Sequence, residues 1–204
     1  LNDRAVRSVS AFGSLNTGNM IFIKKLTASS SGTLSFVNGT SDVVLDSTYK
    51  EYLFTFKNIH PSASSENFTF NMSADSGSNY NVTKTTSFFR AINAEADNYS
   101  NLGYRTGEDL AQSTGFQPIM YSLDNDNDSN GNGSLHLFNP SSTTFVKHFI
   151  LNCSGTGNDG GVNRYDINYF AAGYGNTTSA VDAIQFKMSS GNIDAGDICL
   201  YGIN

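Results

Sequence analysis

Apolar and polar residues alternate with a period of two along most of this chain. In Tyr52-Leu53-Phe54-Thr55-Phe56-Lys57 the aromatics take one face, while Thr55 and Lys57 take the other. Asn67-Phe68-Thr69-Phe70-Asn71-Met72 repeats the scheme with Phe68, Phe70 and Met72 inward, and Ala183-Ile184-Gln185-Phe186-Lys187-Met188 does so again. Successive side chains of a pleated strand point to opposite faces, so this period predicts half-buried strands. Similar patterns over 20–26, 33–37, 82–89, 135–138, 145–151, 167–172 and 197–203 bring the total to about ten. Phe54, Phe56, Phe68, Phe70, Phe149 and Phe186 are the expected core.

Turn-forming clusters separate these runs: Asn38-Gly39, Asp75-Ser76-Gly77-Ser78, Asn139-Pro140 and Ser189-Ser190-Gly191-Asn192. Gly and Asn tolerate the positive φ of tight turns, and Asp and Ser bond their own backbone. Many short strands with polar turns predict an all-β fold, an antiparallel β-sandwich of jelly-roll type. The Gly191-Asn192 turn between the last two runs predicts a C-terminal hairpin. A short helix is expected over 107–113, ending before Gly115 and Pro118. Residues 91–134, rich in Asn and Asp, read as long surface loops, where contacts concentrate. Residues 1–18 show no periodicity and read as an N-terminal arm, with 19–204 as a single domain.

Composition agrees with strands and turns. Aromatics are 12% and charged residues only 15%, so Ser, Thr, Asn and Gly must supply most of the polar surface. The net charge of −6, with no basic run beyond Lys24-Lys25, argues against nucleic-acid binding, which needs clustered cations. No apolar stretch approaches the ~20 residues of a membrane-spanning helix, and no signal-peptide pattern is expected at the start. The chain opens on Leu1 rather than Met, so missing or processed residues ahead of it are expected. Cys153 and Cys199 fit no metal motif and are expected as free thiols.

No nucleophile elbow, zinc-protease helix, phosphate loop or dinucleotide fingerprint occurs, and no enzyme activity is expected. His60, His136 and His148 are widely spaced, and Glu51, Glu66 and Glu108 sit in no recognisable acid–base context. They read as hydrogen-bonded or surface groups. The one stretch with metal-binding logic is 124–134, where Asp126, Asp128 and Asn130 follow the first half of a calcium loop. Leu137 stands where the bidentate Glu belongs, so calcium is an option beside a plain solvated loop. No other cofactor is expected. Aromatic faces stack on sugars and amides read hydroxyls, which makes Tyr99, Tyr104 and Tyr121, with Tyr80, candidates for glycan binding.

Several blocks stand out from about residue 47 onward: YKEYLFTF at 49–56, SFFRA at 87–91, GEDLAQSTG at 107–115, LHLFNP at 135–140 with VKHF at 146–149, and AAGYGNTTS at 171–179. The most distinctive are AIQFKMSSGN at 183–192 and GDICLYGI at 196–203. As a set they resemble virion structural proteins of marine tailed phages, those infecting cyanobacteria and similar open-water bacteria. The resemblance implies a β-sandwich module on a capsid or fibre, without catalysis, and supplies no binding residues. The expected role is a capsid decoration or cement protein at the virion surface. The alternative is a receptor-binding, carbohydrate-recognising module of a tail or head fibre. Expected partners are the major capsid protein or fibre and tail proteins, other copies in a homotrimer, and a host-surface glycan. Within the arm, Arg4, Val6, Arg7, Val9 and Phe12 are the expected docking residues, able to add a strand or bury side chains against a partner.

Overall fold

The protein is described by a computed structural model covering residues 19–158 and 164–204. The described residues form twelve strands and no α-helix. In chain order these are β1 (Met20–Ser31), β2 (Leu34–Val37), β3 (Glu51–Pro61), β4 (Glu66–Ser73), β5 (Lys84–Ala94), β6 (Ser100–Tyr104), β7 (Gln117–Leu123), β8 (Gly131–Phe138), β9 (Lys147–Asn158), β10 (Arg164–Gly175), β11 (Ala183–Met188) and β12 (Ile193–Ile203). Every pairing between them is antiparallel. One path runs β1-β12-β3-β8-β9-β7-β4-β11-β2, while β10, β5 and β6 extend from the other edge of β9. Only Gly32 and Thr33 separate β1 from β2, so the two ends of the path meet and the sheet is nearly closed into a barrel.

The core lies inside that closure, and the alternating runs build it. Phe54 and Phe56 from β3 face Phe68 and Phe70 from β4, with Phe36 from β2 and Phe149 from β9 at the sides. Phe186 of β11 stands at the centre, with ring centroids 5.4–5.8 Å from Phe54, Phe56 and Phe68. All six expected core phenylalanines are buried. Both cysteines are free and buried, and burial pushes the Cys153 thiol up to about 12.

Three sequence expectations are corrected. The 107–113 segment forms turns and bends: Asp109 N–H reaches Arg105 O, four residues back, but the helical pattern stops there because the next donors go to β5. Leu110 N–H donates to Thr86 Oγ1 and Gln112 N–H to Thr85 Oγ1, where a helix would need carbonyls four residues back. The 91–134 region is not loop throughout. It holds β6, an edge strand with little burial contrast, and β7, whose Pro118 sits at a register shift in the pairing with β4. The C-terminal hairpin does not form either. β11 pairs with β2 and β4 while β12 pairs with β1 and β3, so the turn at 189–192 carries the chain from one layer of the closure to the other. The arm at 1–18, with Arg4, Val6, Arg7, Val9 and Phe12, lies outside the described residues.

β4 is buried on both faces, which its alternation did not announce. Asn71, on its polar face, donates through Nδ2 to the carbonyls of Tyr80 (2.6 Å) and Thr114 (2.9 Å). Its Oδ1 accepts from Lys84 Nζ, which also donates to Val82 O at 2.8 Å. Lys84 and Lys147 are both fully buried, on strands that flank Gly175 of β10. Lys147 satisfies its ammonium on Phe145 O and Thr177 O, at 2.7 and 3.0 Å. Burial lowers both amines below the ordinary lysine value, Lys84 to about 7.

Candidate functional site

β7 meets β9 at the pair Leu123–Gly157, and Gly157 pairs on its other side with Tyr165 of β10. A cleft of about 290 Å³ opens there. Arg90 and Ile92 of β5, Tyr165 and Ile167 of β10, Tyr121 and Ser122 of β7, and Tyr99 from the turn before β6 line it. Tyr165 and Ile167 are buried at its floor, whereas Tyr99 is about half exposed at its rim. The Tyr99 and Tyr165 rings meet edge-on at 6.2 Å.

Two features hold β7 at this position. Gly155 and Gly157 on β9 admit it, because a Cβ at Gly157 would lie 2.7 Å from both Ser122 O and Ile167 Cδ1. Buried Tyr169 then donates its hydroxyl to Tyr121 O at 2.6 Å. Burial raises the Tyr169 hydroxyl well above its ordinary value, so it stays a donor. The Tyr121 ring is flanked by two guanidiniums, Arg90 and Arg105, each 5.3 Å from its centroid. Arg105 pairs with buried Glu108 at 3.2 Å. A cation over an aromatic face is attracted by the ring's negative quadrupole.

Of the tyrosines singled out from the sequence, the fold brings Tyr99 and Tyr121 together and separates Tyr104 and Tyr80 from them. Tyr104 stands opposite Phe89, on the outer face of the sheet, and donates to Asp109 at 2.6 Å. Tyr80 packs near Gly77 in the loop after β4. Sequence reasoning missed Arg90 and Tyr165. Their signal was the alternation itself, since Arg90 is in phase with Phe88 and Ile92, and a cation at an inward position calls for a partner.

In the acidic loop, Asp126 and Asp128 converge on Arg164 of β10, Asp128 at 2.8 Å. The guanidinium beside it holds the Asp128 carboxyl below its usual range. Asn130 turns toward Asn132, and with His60, Asn127 and Asp194 it lines a separate polar recess. Buried Asp124 accepts from Ser64 and Asn125 N–H, while its Oδ2 has no hydrogen-bond partner among the described residues. Arg164 therefore sits where a calcium ion would compete for the same carboxylates. Calcium is expected to raise the melting temperature of Arg164→Ala more than that of the parent chain, because a ligand held only by the folded state stabilises it. Coincident melting curves in calcium and in chelator for both proteins would leave the loop without an ion.

The remaining titratable candidates are engaged separately. His136 Nδ1 meets Glu51 at 2.5 Å, His60 Nε2 meets Asp126 O at 3.2 Å, and His148 packs on Tyr174. Glu66 accepts from Ser189 and Glu108 from Arg105. No family model, curated protein or solved structure matches this chain.

Proposed function

We propose that this chain is a non-enzymatic domain displayed on a virion surface, and that the tyrosine cleft recognises carbohydrate. The observation that carries the recognition is the convergence of Tyr99, Tyr121, Tyr165, Arg90 and Ser122 from separate elements on one open cleft. Aromatic faces cover the apolar C–H face of a sugar while hydroxyl and guanidinium groups read its oxygens. Among the described residues the cleft lining holds no Asp, Glu or His, so it offers no acid–base pair for glycan cleavage. The phage setting rests on the sequence blocks named above. On this reading the nearly closed sheet is a jelly-roll sandwich, assembling as a homotrimer.

A decoration role is the second reading, and a different surface favours it. Across the outer face, a row runs Ala172, Ile150, His136, Leu53, Tyr201 and Phe22 over six neighbouring strands. Beside it Phe89 stacks on Phe170 at 5.1 Å. Ile150 and Phe22 are both more than half exposed. An apolar band of this kind, interrupted at its centre by His136 and its Glu51 partner, suits docking on a capsid or fibre protein. The two jobs are compatible, with one face attached and the cleft outward.

Substitution separates them. Tyr99→Ala is expected to weaken binding to an immobilised host envelope polysaccharide by about threefold to tenfold, the loss of one stacking contact. The same variant still joins particles. Ile150→Asp reverses the pattern, keeping polysaccharide binding and losing attachment. Polysaccharide binding that survives both Tyr99→Ala and Tyr121→Ala would remove the cleft from the account.

A further inference from the structure

We infer that the cleft selects an anionic saccharide, one carrying a carboxylate or a sulfate ester, and that Arg90 is the group that reads the charge. This rests on the carbohydrate reading of the same cleft and names its ligand class. Two guanidiniums flank Tyr121, but only one has a carboxylate. Arg105 is neutralised by Glu108 at 3.2 Å, and among the described residues no carboxylate lies within ion-pair distance of Arg90. The neighbouring recess holds the acids Glu95 and Asp166. Asp166 projects to the opposite face of β10 from Tyr165, where its carboxylate accepts from Ser154 and Asn168. Arg90 is therefore a partly buried cation in a cleft wall, oriented by an aromatic ring and lacking a counter-charge among the described residues.

That arrangement is costly without a ligand and productive with one. Partial burial strips water from the guanidinium, and the Tyr121 face offsets this only in part. Its planar fork of N–H donors matches two oxygens of a carboxylate or a sulfate, and stacking on Tyr121 holds the fork in a fixed plane. The chain as a whole carries a net charge of −6, so long-range attraction does not bring an anion here. Selectivity has to come from this short-range pair.

The test uses the full chain on an array of neutral oligosaccharides with their uronate-bearing and sulfated counterparts, followed by calorimetry. The calorimetric probes are the tightest binder and its neutral analogue, methyl-esterified or desulfated. The acidic form is expected to bind at least about tenfold more tightly, the size of one charge-assisted bidentate contact. Arg90→Gln is expected to abolish that difference by weakening the acidic form far more than its neutral analogue, and Arg90→Lys to retain part of it. Tyr99→Ala, at an exposed position that does not threaten folding, weakens both forms alike. Preference for the uronate series over the sulfated one, or the reverse, identifies which anion is read, and both support the inference. Equal affinity for acidic and neutral forms, or an acid preference that survives Arg90→Gln, overturns the inference and leaves carbohydrate recognition standing. No binding to any sugar on the array overturns both.

Discussion

Phe186→Ala is expected to lower the unfolding free energy by about 3–5 kcal/mol in a urea titration. The ring is fully buried and touches rings from three other strands: Phe36 of β2, Phe54 and Phe56 of β3, and Phe68 and Phe70 of β4. Removing it forfeits apolar burial and leaves a cavity walled by five aromatics held from separate strands. Such walls close poorly, because each ring is anchored by its own backbone. Phe22→Ala is the control. That ring is more than half exposed on β1, and its loss should change stability by no more than about 0.5 kcal/mol. Similar losses for the two variants would mean that the closure is not packed around Phe186.

Stability is expected to rise between pH 7 and pH 9, and Lys84→Met to flatten most of that rise. Burial depresses the folded-state value of Lys84 to about 7, against an ordinary lysine value near 10.5. Between those values the unfolded chain holds a proton that the folded chain has released. Raising the pH therefore favours folding, by at most about 1.4 kcal/mol per unit. Below pH 7 both states are protonated, and the fold bears the full cost of a buried ammonium. Lys147, also lowered by burial, acts in the same direction. Above pH 9 the trend is opposed, since Cys153 and Tyr169 have folded values raised by burial and the unfolded chain loses those protons first. The measurable gain is about 2 kcal/mol from pH 7 to pH 9, read by urea unfolding at each pH. An equal slope in the parent and in Lys84→Met would show that the amine is not held as described.

The sequence by itself determined the class of fold and the identity of the core. A two-residue period depends only on the geometry of one strand, so Phe54, Phe56, Phe68, Phe70 and Phe186 could be placed inward without knowing their neighbours. Strand pairing depends on partners distant in the chain, and local pattern is silent there. That is why the Gly191-Asn192 turn read as a hairpin, although β11 and β12 each find other partners. It is also why β7, interrupted by Pro118, and the exposed edge strand β6 read as loop. The turns at 107–113 were decided by β5, some two dozen residues away, where Thr86, Thr85 and the Lys84 carbonyl take the Leu110, Gln112 and Ser113 amide protons. The cleft belongs to the same category. Tyr99 and Tyr121 could be singled out as aromatics in a polar region. Their meeting with Arg90 and Tyr165, and the exclusion of Tyr104, followed only once β7, paired with β4 and β9, was brought against the inner faces of β5 and β10. A ligand site of this kind is a property of faces brought together across the sheet, and the physical reason it was hidden is that no single segment carries more than two of its residues.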